Sequence, residues 1–314
     1  MSRVAFLGPD GTFTSEAARL AAAEAQRCPL PTISDVFATV REGDADLGVV
    51  PVENSIEGSV NLTLDELAFG PPGVRIRGEV TVAIVMNLLA KPGVELHQIT
   101  AVRSQPHALA QCRQWLAAHL PGVAQQAATS TAEAALQVAE GDGTVAALGP
   151  APAAQRFGLE VLAAGVQDHP GNQTRFLVLG RTMAARTGAD KTSLVVFFGE
   201  DRPGLLLRIL DEFALRGVNL TKIESRPTKQ ALGEYCIVID SAGHVTDARV
   251  AGALRGVHRH AAQVRVLGAY PRADGLADDP RDHDSDGAYA AAGDWYDALL
   301  ADVEGFGVTP AERR

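Results

Sequence analysis

Short apolar runs alternate with helical patterns over the first 180 residues. The apolar runs predict strands at residues 3–8, 47–52, 81–90, 99–104, 144–149 and 175–180. Between these runs, apolar residues recur at helical spacing in segments 15–26, 62–69, 107–120 and 131–141. This alternation predicts an α/β domain in which helices flank a largely parallel sheet.

A different pattern follows the polar segment 181–191, which has the composition of a linker. Six segments then predict strand, helix, strand, strand, helix and strand, at residues 192–198, 202–217, 218–225, 233–240, 245–260 and 263–270. Leu205, Leu206 and Ile209 lie on one apolar face of the first helix, and Gly217 ends it. The pattern therefore predicts a small βαββαβ, ferredoxin-like domain at 191–270.

The C-terminal segment 271–314 is acidic. Residues 274–287 contain six Asp and one Arg, a composition that predicts disorder. After them, Tyr289, Ala292, Trp295 and Leu299 recur at helical spacing, which is compatible with a short amphipathic helix that docks onto the preceding domain.

Composition and charge narrow the class of protein. Of the 314 residues, 46% are apolar and 21% are charged, as in a soluble globular protein with a sizeable core. The net charge of −10 argues against a nucleic-acid partner, and no apolar run reaches the ~20 residues of a membrane span. Cys28, Cys112 and Cys236 are few, odd in number and far apart, so we expect reduced thiols in a cytoplasmic protein. The scattered His residues predict no metal site.

Polar segments directly follow several of the predicted strands. They read "GPDGTFTSEAA", "ENSIEGS", "SQPHALAQC" and "GPAPAA", and in them Thr14, Ser15 and Ser104 are candidate helix caps. Ligands of open α/β sheets bind outside the carboxyl ends of strands, where helix N-termini offer free N–H groups. The buried strand at 175–180 also has a polar entry, "GNQT". The sequence therefore predicts a site for a small anion that uses few Lys or Arg.

Four motifs in this order, "GPDGTFTSEAA", "VVPVENSIEGSV", "SQPHALAQC" and "TRF", resemble the signature of bacterial prephenate dehydratases. Residues 191–270, with "ESRP" at 224–227, resemble the ACT domain that regulates this family. The resemblance covers about residues 1–270. Two departures are visible: 104–107 reads Ser-Gln-Pro-His where the family often has Ser-His-Pro-Gln, and 204–206 reads Gly-Leu-Leu where it has Gly-Ala-Leu.

The resemblance implies a domain organisation. The catalytic domain would span 1–182 and have two lobes, like the type 2 periplasmic binding proteins. Lobe one would comprise about 1–78 and 168–182, and lobe two about 79–167. An ACT domain at 191–270 and an acidic, partly disordered tail at 271–314 would follow. A homodimer or homotetramer is expected, because ACT domains usually pair across a subunit interface.

The resemblance also implies an activity, the decarboxylating dehydration of prephenate to phenylpyruvate in L-phenylalanine biosynthesis, under allosteric control by L-phenylalanine. Formation of an aromatic ring drives this carbon–oxygen lyase reaction, so no cofactor is expected. One alternative is an arogenate dehydratase, which performs the same ring chemistry on a substrate that carries an amino-acid side chain in place of the keto group. Another is a non-catalytic amino-acid sensor.

The family's catalytic Thr corresponds to Thr174, which we expect to donate a hydrogen bond to the departing oxygen. Asn54, Ser104 and Gln111 match family positions tied to substrate binding or catalysis. The residues expected to bind substrate are Thr12, Phe13, Ser55, Arg175 and Phe176. Arg175 has an open role: it could clamp a carboxylate, or it could be structural, because strand alternation directs it away from Thr174. Glu53 is expected to fix the neighbouring backbone.

The effector site implied by the resemblance combines a helix start with the "ESRP" segment. Its residues are Gly204, Leu205, Leu206, Glu224, Ser225, Arg226 and Pro227. Gly204 lets a ligand approach the backbone closely. Leu205 is larger than the family's Ala, so it either packs into the helix core or crowds the bound phenyl ring.

Overall fold

The fold is described here from a computed structural model, which covers residues 2–199, 202–229, 231 and 233–303. The chain divides after Met183 into two compact units. Among the described residues, no helix has both the length and the apolar character needed to cross a membrane.

The first unit alternates strands and helices, as expected. In chain order its elements are β1 (Arg3–Leu7), α1 (Phe13–Ala21), β2 (Gln26–Leu30), α2 (Ile33–Glu42), β3 (Leu47–Asn54), β4 (Gly58–Ser59), α3 (Asn61–Phe69), β5 (Arg75–Ala83), β6 (Asn87–Ala90), a 3-10 turn (Leu96–Gln98), β7 (Ala101–Ser104), α4 (Pro106–Gln111), α5 (Arg113–His119), β8 (Ala124–Ala127), α6 (Thr131–Glu140), β9 (Val145–Gly149), α7 (Ala151–Phe157), β10 (Glu160–Ala163) and β11 (Gln173–Gly180).

These elements build two lobes, each with its own sheet. The first sheet has the order β5-β11-β3-β1-β2, with β1 parallel to β2 and β3, and with β11 antiparallel to β3 and β5. Its core contains Val4, Phe6, Val49 and Phe176. The second sheet has the order β10-β6-β9-β7-β8 and packs a core that contains Leu88, Val102, Leu116 and Leu148.

The boundary between the lobes differs from the expected one at 78–79. The apolar run 81–90 is not one strand: β5 ends at Ala83 in the first sheet and β6 begins at Asn87 in the second. Ile84 and Met86, in the crossing segment, are both buried and belong to the core of the second lobe. The apolar run is continuous because both sides of the crossing are buried, so hydrophobicity alone could not reveal the break.

The second unit confirms the predicted βαββαβ pattern. Its elements are β12 (Asp190–Phe197), α8 (Leu205–Ala214), β13 (Leu220–Pro227), β14 (Tyr235–Ala242), α9 (Ala248–His260) and β15 (Gln263–Pro271). The antiparallel order is β13-β14-β12-β15, and both helices pack on one core. Leu194, Ile209, Phe213, Ile239 and Val250 lie in this core.

The acidic segment after β15 differs from the disorder expected for 274–287. It is irregular chain with a 3-10 turn (Asp282–Asp284), followed by α10 (Asp286–Ala301). Asp286 accepts a hydrogen bond from Ala248 N at the start of α9 and pairs with Arg186. Partners in the folded unit thus offset the repulsion among the Asp residues. However, the expected docking face of α10 is not buried, since Trp295 is 68% exposed.

Candidate active site

A cavity of about 740 Å³ lies between the two lobes of the first unit. Its polar lining residues are Thr12, Thr14, Asn54, Glu57, Gln105, His107, Gln111, Thr129, Ser130, Thr131 and Thr174. Phe13, Ile84 and Met86 contribute apolar surface. Among the described lining residues there is no Lys or Arg. Nor does the described part of the chain contain a group of three His, Cys, Asp or Glu placed to hold a metal ion.

Two helix N-termini face this cavity. Thr12 caps α1, where its Oγ1 accepts a hydrogen bond of 3.2 Å from Ser15 N. Ser130 caps α6, where its Oγ accepts one of 3.0 Å from Glu133 N. Thr12 therefore takes the cap position that we expected for Thr14 or Ser15, because it is the last residue with extended backbone angles before the helix. Both caps line the cavity, so the positive ends of two helices can act on an anion bound there.

Thr174 and Asn54 form the centre of the site. They are direct partners in the pairing of β11 with β3, and Asn54 Nδ2 donates a 3.0 Å hydrogen bond to Thr174 Oγ1. The orientation of the Asn54 amide is fixed, because its Oδ1 accepts hydrogen bonds from the backbone N–H groups of Ile56 and Glu57. Since Thr174 Oγ1 accepts from Asn54, its own hydroxyl hydrogen can be donated to a molecule in the cavity.

Gln111, in lobe two, makes hydrogen bonds to Glu57 of lobe one and to Asn172, which lies where the chain returns from lobe two to β11. Its Nε2 donates to Glu57 Oε1 at 2.7 Å, and its Oε1 accepts from Asn172 Nδ2 at 3.2 Å. His107, one helical turn before Gln111, places Nδ1 3.4 Å from Glu57 Oε2. We did not predict site roles for Glu57 or His107, and we placed Asn172 at the site only as part of the polar entry of the strand at 175–180. Three features of the sequence could have indicated these residues: the polar residues of "ENSIEGS", the departure from the family pattern at 104–107 and the polar entry of the strand at 175–180.

Ser104 and Phe176 are not among the described residues that line the cavity, contrary to expectation. Ser104 lies at the end of β7, fully buried, and donates its hydroxyl hydrogen to Leu148 O at 2.8 Å. Phe176 shares a strand face with Thr174 but lies two residues, or about 6.6 Å, further into the sheet. It is therefore buried in the core of lobe one.

Arg175 is held by two carboxylates and is also absent from the described lining of the cavity. Its guanidinium lies 3.1 Å from Glu53 and 3.1 Å from Glu79. Alternation along β11 directs this side chain to the face opposite Thr174. The geometry therefore favours the structural alternative for Arg175 over the clamp, and it gives Glu53 an ion-pair partner.

Ser55 is exposed beside the cavity rather than in its lining. Its hydroxyl accepts a hydrogen bond from Gln173 N at 3.0 Å and donates to Asn172 Oδ1 at 3.2 Å. These bonds tie the end of β3 to the entry of β11. Ser55 thus supports the backbone that carries Thr174, instead of meeting a ligand directly.

Cys112 directly follows Gln111 and is fully buried. Burial, with a smaller contribution from the Asp168 carboxylate, raises the pKa of its thiol to about 12. Because the thiolate is the reactive form, we expect Cys112 to resist a disulfide reagent at pH 8 in the native protein. Cys236 is also buried, whereas Cys28 is partly exposed. Titration with Ellman's reagent should therefore detect one reactive thiol before unfolding and three afterwards; fast reaction of Cys112 in the native state would contradict this environment.

The predicted effector residues lie in two separate places in the second unit. Gly204 caps α8 with a φ of +85°, a left-handed conformation that glycine adopts readily. Leu205 lines a cavity of about 500 Å³ beside Arg202, Arg208 and His260, whereas Leu206 is not among its described lining residues. The members of the β13 segment, Glu224, Ser225, Arg226 and Pro227, are likewise absent from the described lining. Glu224 instead pairs with Lys222 and Arg226 on its own strand.

Comparison with known proteins gives a consistent result. A family model described as prephenate dehydratase matches residues 4–184, and one described as ACT domain matches residues 192–259. The prephenate dehydratase of Mycobacterium tuberculosis (strain ATCC 25618 / H37Rv) is 45% identical over 283 residues, which cover 86% of this chain and 87% of that relative. The chain belongs to the prephenate dehydratase family. The family and the ACT domain inferred from the motifs are thereby confirmed.

Two solved structures extend this finding. The prephenate dehydratase of Arthrobacter aurescens, in complex with L-Phe, is 45% identical and has a TM-score of 0.88, with coverage of 95% of this chain and 99% of that chain. A protein described as GqqA, a novel type of quorum quenching acylase, is 30% identical with a TM-score of 0.78, covering 86% of this chain and 98% of that one. The expected α/β fold class is confirmed.

Proposed function

We propose that the cavity between the lobes binds prephenate and catalyses its decarboxylating dehydration to phenylpyruvate. The observation that carries this proposal is the Thr174 hydroxyl, which the Asn54 amide orients at the cavity in a chain of the prephenate dehydratase family. Preorganised donors of this kind act most strongly when they point to the place where charge develops in the transition state.

The substrate carries two carboxylates, and the cavity offers them helix ends and neutral donors. The N-termini of α1 and α6 supply positive potential without a Lys or Arg among the described lining residues. Neutral donors suit a carboxylate that must leave as CO₂, because a tight ion pair would stabilise the bound substrate more than the transition state. Phe13, Ile84 and Met86 provide the apolar surface for the ring.

The chemical step breaks two bonds. The bond between the ring and its carboxylate breaks to release CO₂, and its electron pair enters the ring. The carbon–oxygen bond on the opposite side of the ring breaks with its electron pair on oxygen, which leaves as hydroxide and becomes water on protonation. Thr174 donates a hydrogen bond to that oxygen, and help of this kind is worth about 10²–10⁴-fold. The new aromatic ring supplies the driving force.

Turnover of two substrates tests the proposal. Purified protein mixed with prephenate should form phenylpyruvate, which is followed by its absorbance, and it should convert prephenate more efficiently than arogenate. Preference for arogenate would identify the rival dehydratase. Binding of either compound without any product would favour the amino-acid sensor.

L-phenylalanine is the proposed effector, and the second unit is its proposed site. Support comes from the L-Phe complex of the similar Arthrobacter protein and from the ACT domain match. The described lining of the cavity at the start of α8 includes Leu205 but none of residues 224–227. We therefore propose that a second copy of the chain completes the site, in a homodimer or homotetramer. Coupling between such sites is typically about 1–3 kcal/mol, or about 5- to 150-fold in substrate affinity.

Leu205→Ala is expected to tighten L-phenylalanine binding about 5-fold. The Leu205 side chain lines the cavity and is not part of the described core cluster of this unit, so its isobutyl group would crowd a phenyl ring. Crowding costs about 1 kcal/mol or more. Calorimetry on the full chain measures the change, and Leu207→Ala is the matched control because Leu207 is 62% exposed and outside the described lining. Weaker binding by Leu205→Ala would show that Leu205 supports the ligand.

A further inference from the structure

We propose that Asn172 is a positioning residue of the reaction. It would orient the Asn54–Thr174 pair and couple that pair to Gln111 on the opposite lobe. The proposal rests on the function proposed above and adds to it a residue that does not itself line the described cavity.

Asn172 is only 4% exposed, and its side chain makes three hydrogen bonds to groups around the site. Its Oδ1 accepts from Asn54 Nδ2 at 2.8 Å and from Ser55 Oγ at 3.2 Å. Its Nδ2 donates to Gln111 Oε1 at 3.2 Å. One buried amide thus contacts the end of β3 on lobe one and the end of α4 on lobe two.

The bond to Asn54 controls the catalytic hydroxyl. Asn54 Nδ2 has two hydrogens, and its acceptors are Asn172 Oδ1, Thr174 Oγ1 and, at 3.2 Å, Gln173 O. With Asn172 as the shortest of these contacts, one hydrogen is held on Asn172 and the other is directed toward Thr174. Thr174 then acts as an acceptor toward Asn54, which leaves its own hydrogen for the departing oxygen.

The bond to Gln111 fixes the orientation of the Gln111 amide, and therefore which of its atoms faces Glu57 across the cleft. Because Asn172 donates to Gln111 Oε1, the Gln111 amide must present Nε2 to Glu57, to which it donates at 2.7 Å. An Asp at position 172 could accept from Asn54 and Ser55 but could not donate to Gln111 Oε1. A Leu has the same number and branching of side-chain heavy atoms and could make none of the three bonds.

The test is a double-mutant cycle in kcat for prephenate conversion, with thermal stability measured in parallel. Asn172→Leu should lower kcat about 10- to 100-fold, the scale of a misplaced catalytic group. In a Thr174→Ala background, where no hydroxyl remains to be oriented, the same change should lower kcat less than about 3-fold. Its loss of melting temperature should be equal in both backgrounds.

Asn87→Leu is the matched control. Asn87 is also 4% exposed, and its amide bonds to Gly149 O and Gly165 N, outside the described lining of the cavity. It should lower the melting temperature comparably while kcat stays within about 3-fold of the wild type.

Two results would overturn the positioning role even if the wild type is active. One is that Asn172→Leu lowers kcat by the same factor in both backgrounds. The other is that Asn87→Leu lowers kcat as much as Asn172→Leu does. A wild type that does not convert prephenate would overturn the proposed function together with this inference. If Asn172→Leu does not fold, Asn172→Ala, which also makes none of the three bonds, enters the same cycle, and the same criterion of additivity applies.

Discussion

Replacing Thr174 with Ala is expected to lower kcat for prephenate conversion by at least about 100-fold with little change in KM. The hydroxyl donates to an oxygen whose negative charge develops only as the carbon–oxygen bond breaks. Its removal therefore destabilises the transition state more than the bound substrate. Steady-state kinetics of phenylpyruvate formation measure both constants.

Two variants at the same position separate the hydroxyl from the volume of the side chain. Thr174→Val preserves the shape and should be as slow as Thr174→Ala, whereas Thr174→Ser preserves the hydroxyl and should recover most of the activity. A near-wild-type kcat in Thr174→Val would remove Thr174 from the mechanism. A large rise in KM at unchanged kcat would make it a binding residue only.

Arg175→Ala is expected to lower the free energy of unfolding of the first unit by about 3–5 kcal/mol. The reason is Glu79, whose side chain is only 2% exposed and which loses the Arg175 guanidinium at 3.1 Å. Removing one partner of a buried ion pair is strongly destabilising. Denaturant unfolding followed by circular dichroism measures the change.

The control for Arg175 is Arg156→Ala. Arg156 pairs with Asp10 at 3.5 Å, but its side chain is 51% exposed, so the loss should be below about 1 kcal/mol. Adding Glu79→Gln to Arg175→Ala should recover part of the lost stability, because it removes the buried charge. If Arg175→Ala instead raises KM and leaves stability unchanged, Arg175 clamps the substrate after all.

The sequence predicted the fold class because strongly apolar central strands and helix periods are local signals. Among the elements that it did not predict, which include α2 and β10, the strands β2 and β8 were missed for an identifiable reason. Both lie at an edge of their sheet, and their sequences, "QRCPL" and "AQQA", are largely exposed. An edge strand of this kind needs few apolar residues, so its pattern resembles that of a loop.

The cavity residues were predicted unevenly for a related reason. Motif letters identified Thr12, Asn54, Gln111 and Thr174, which do line the cavity. They could not show which way a side chain points or what pairs with it. The Arg175–Glu53 pair joins residues 122 positions apart and depends on strand register, and the buried hydroxyl of Ser104 finds its partner on β9. Contacts of this kind are set by tertiary pairing, which no local pattern contains.

A crystal structure of Thr174→Val soaked with prephenate at low temperature would show where the substrate lies, because this variant should bind prephenate and convert it at least about 100-fold more slowly than the wild type. We expect prephenate in the cavity between the lobes, with its carboxylates toward the starts of α1 and α6. Its ring hydroxyl oxygen should lie beside residue 174, within about 3 Å of the position that Oγ1 occupies in the wild type. Prephenate bound elsewhere would rule out the cavity as the active site. Prephenate bound in the cavity with its hydroxyl directed away from residue 174 would rule out Thr174 as the donor to the leaving oxygen.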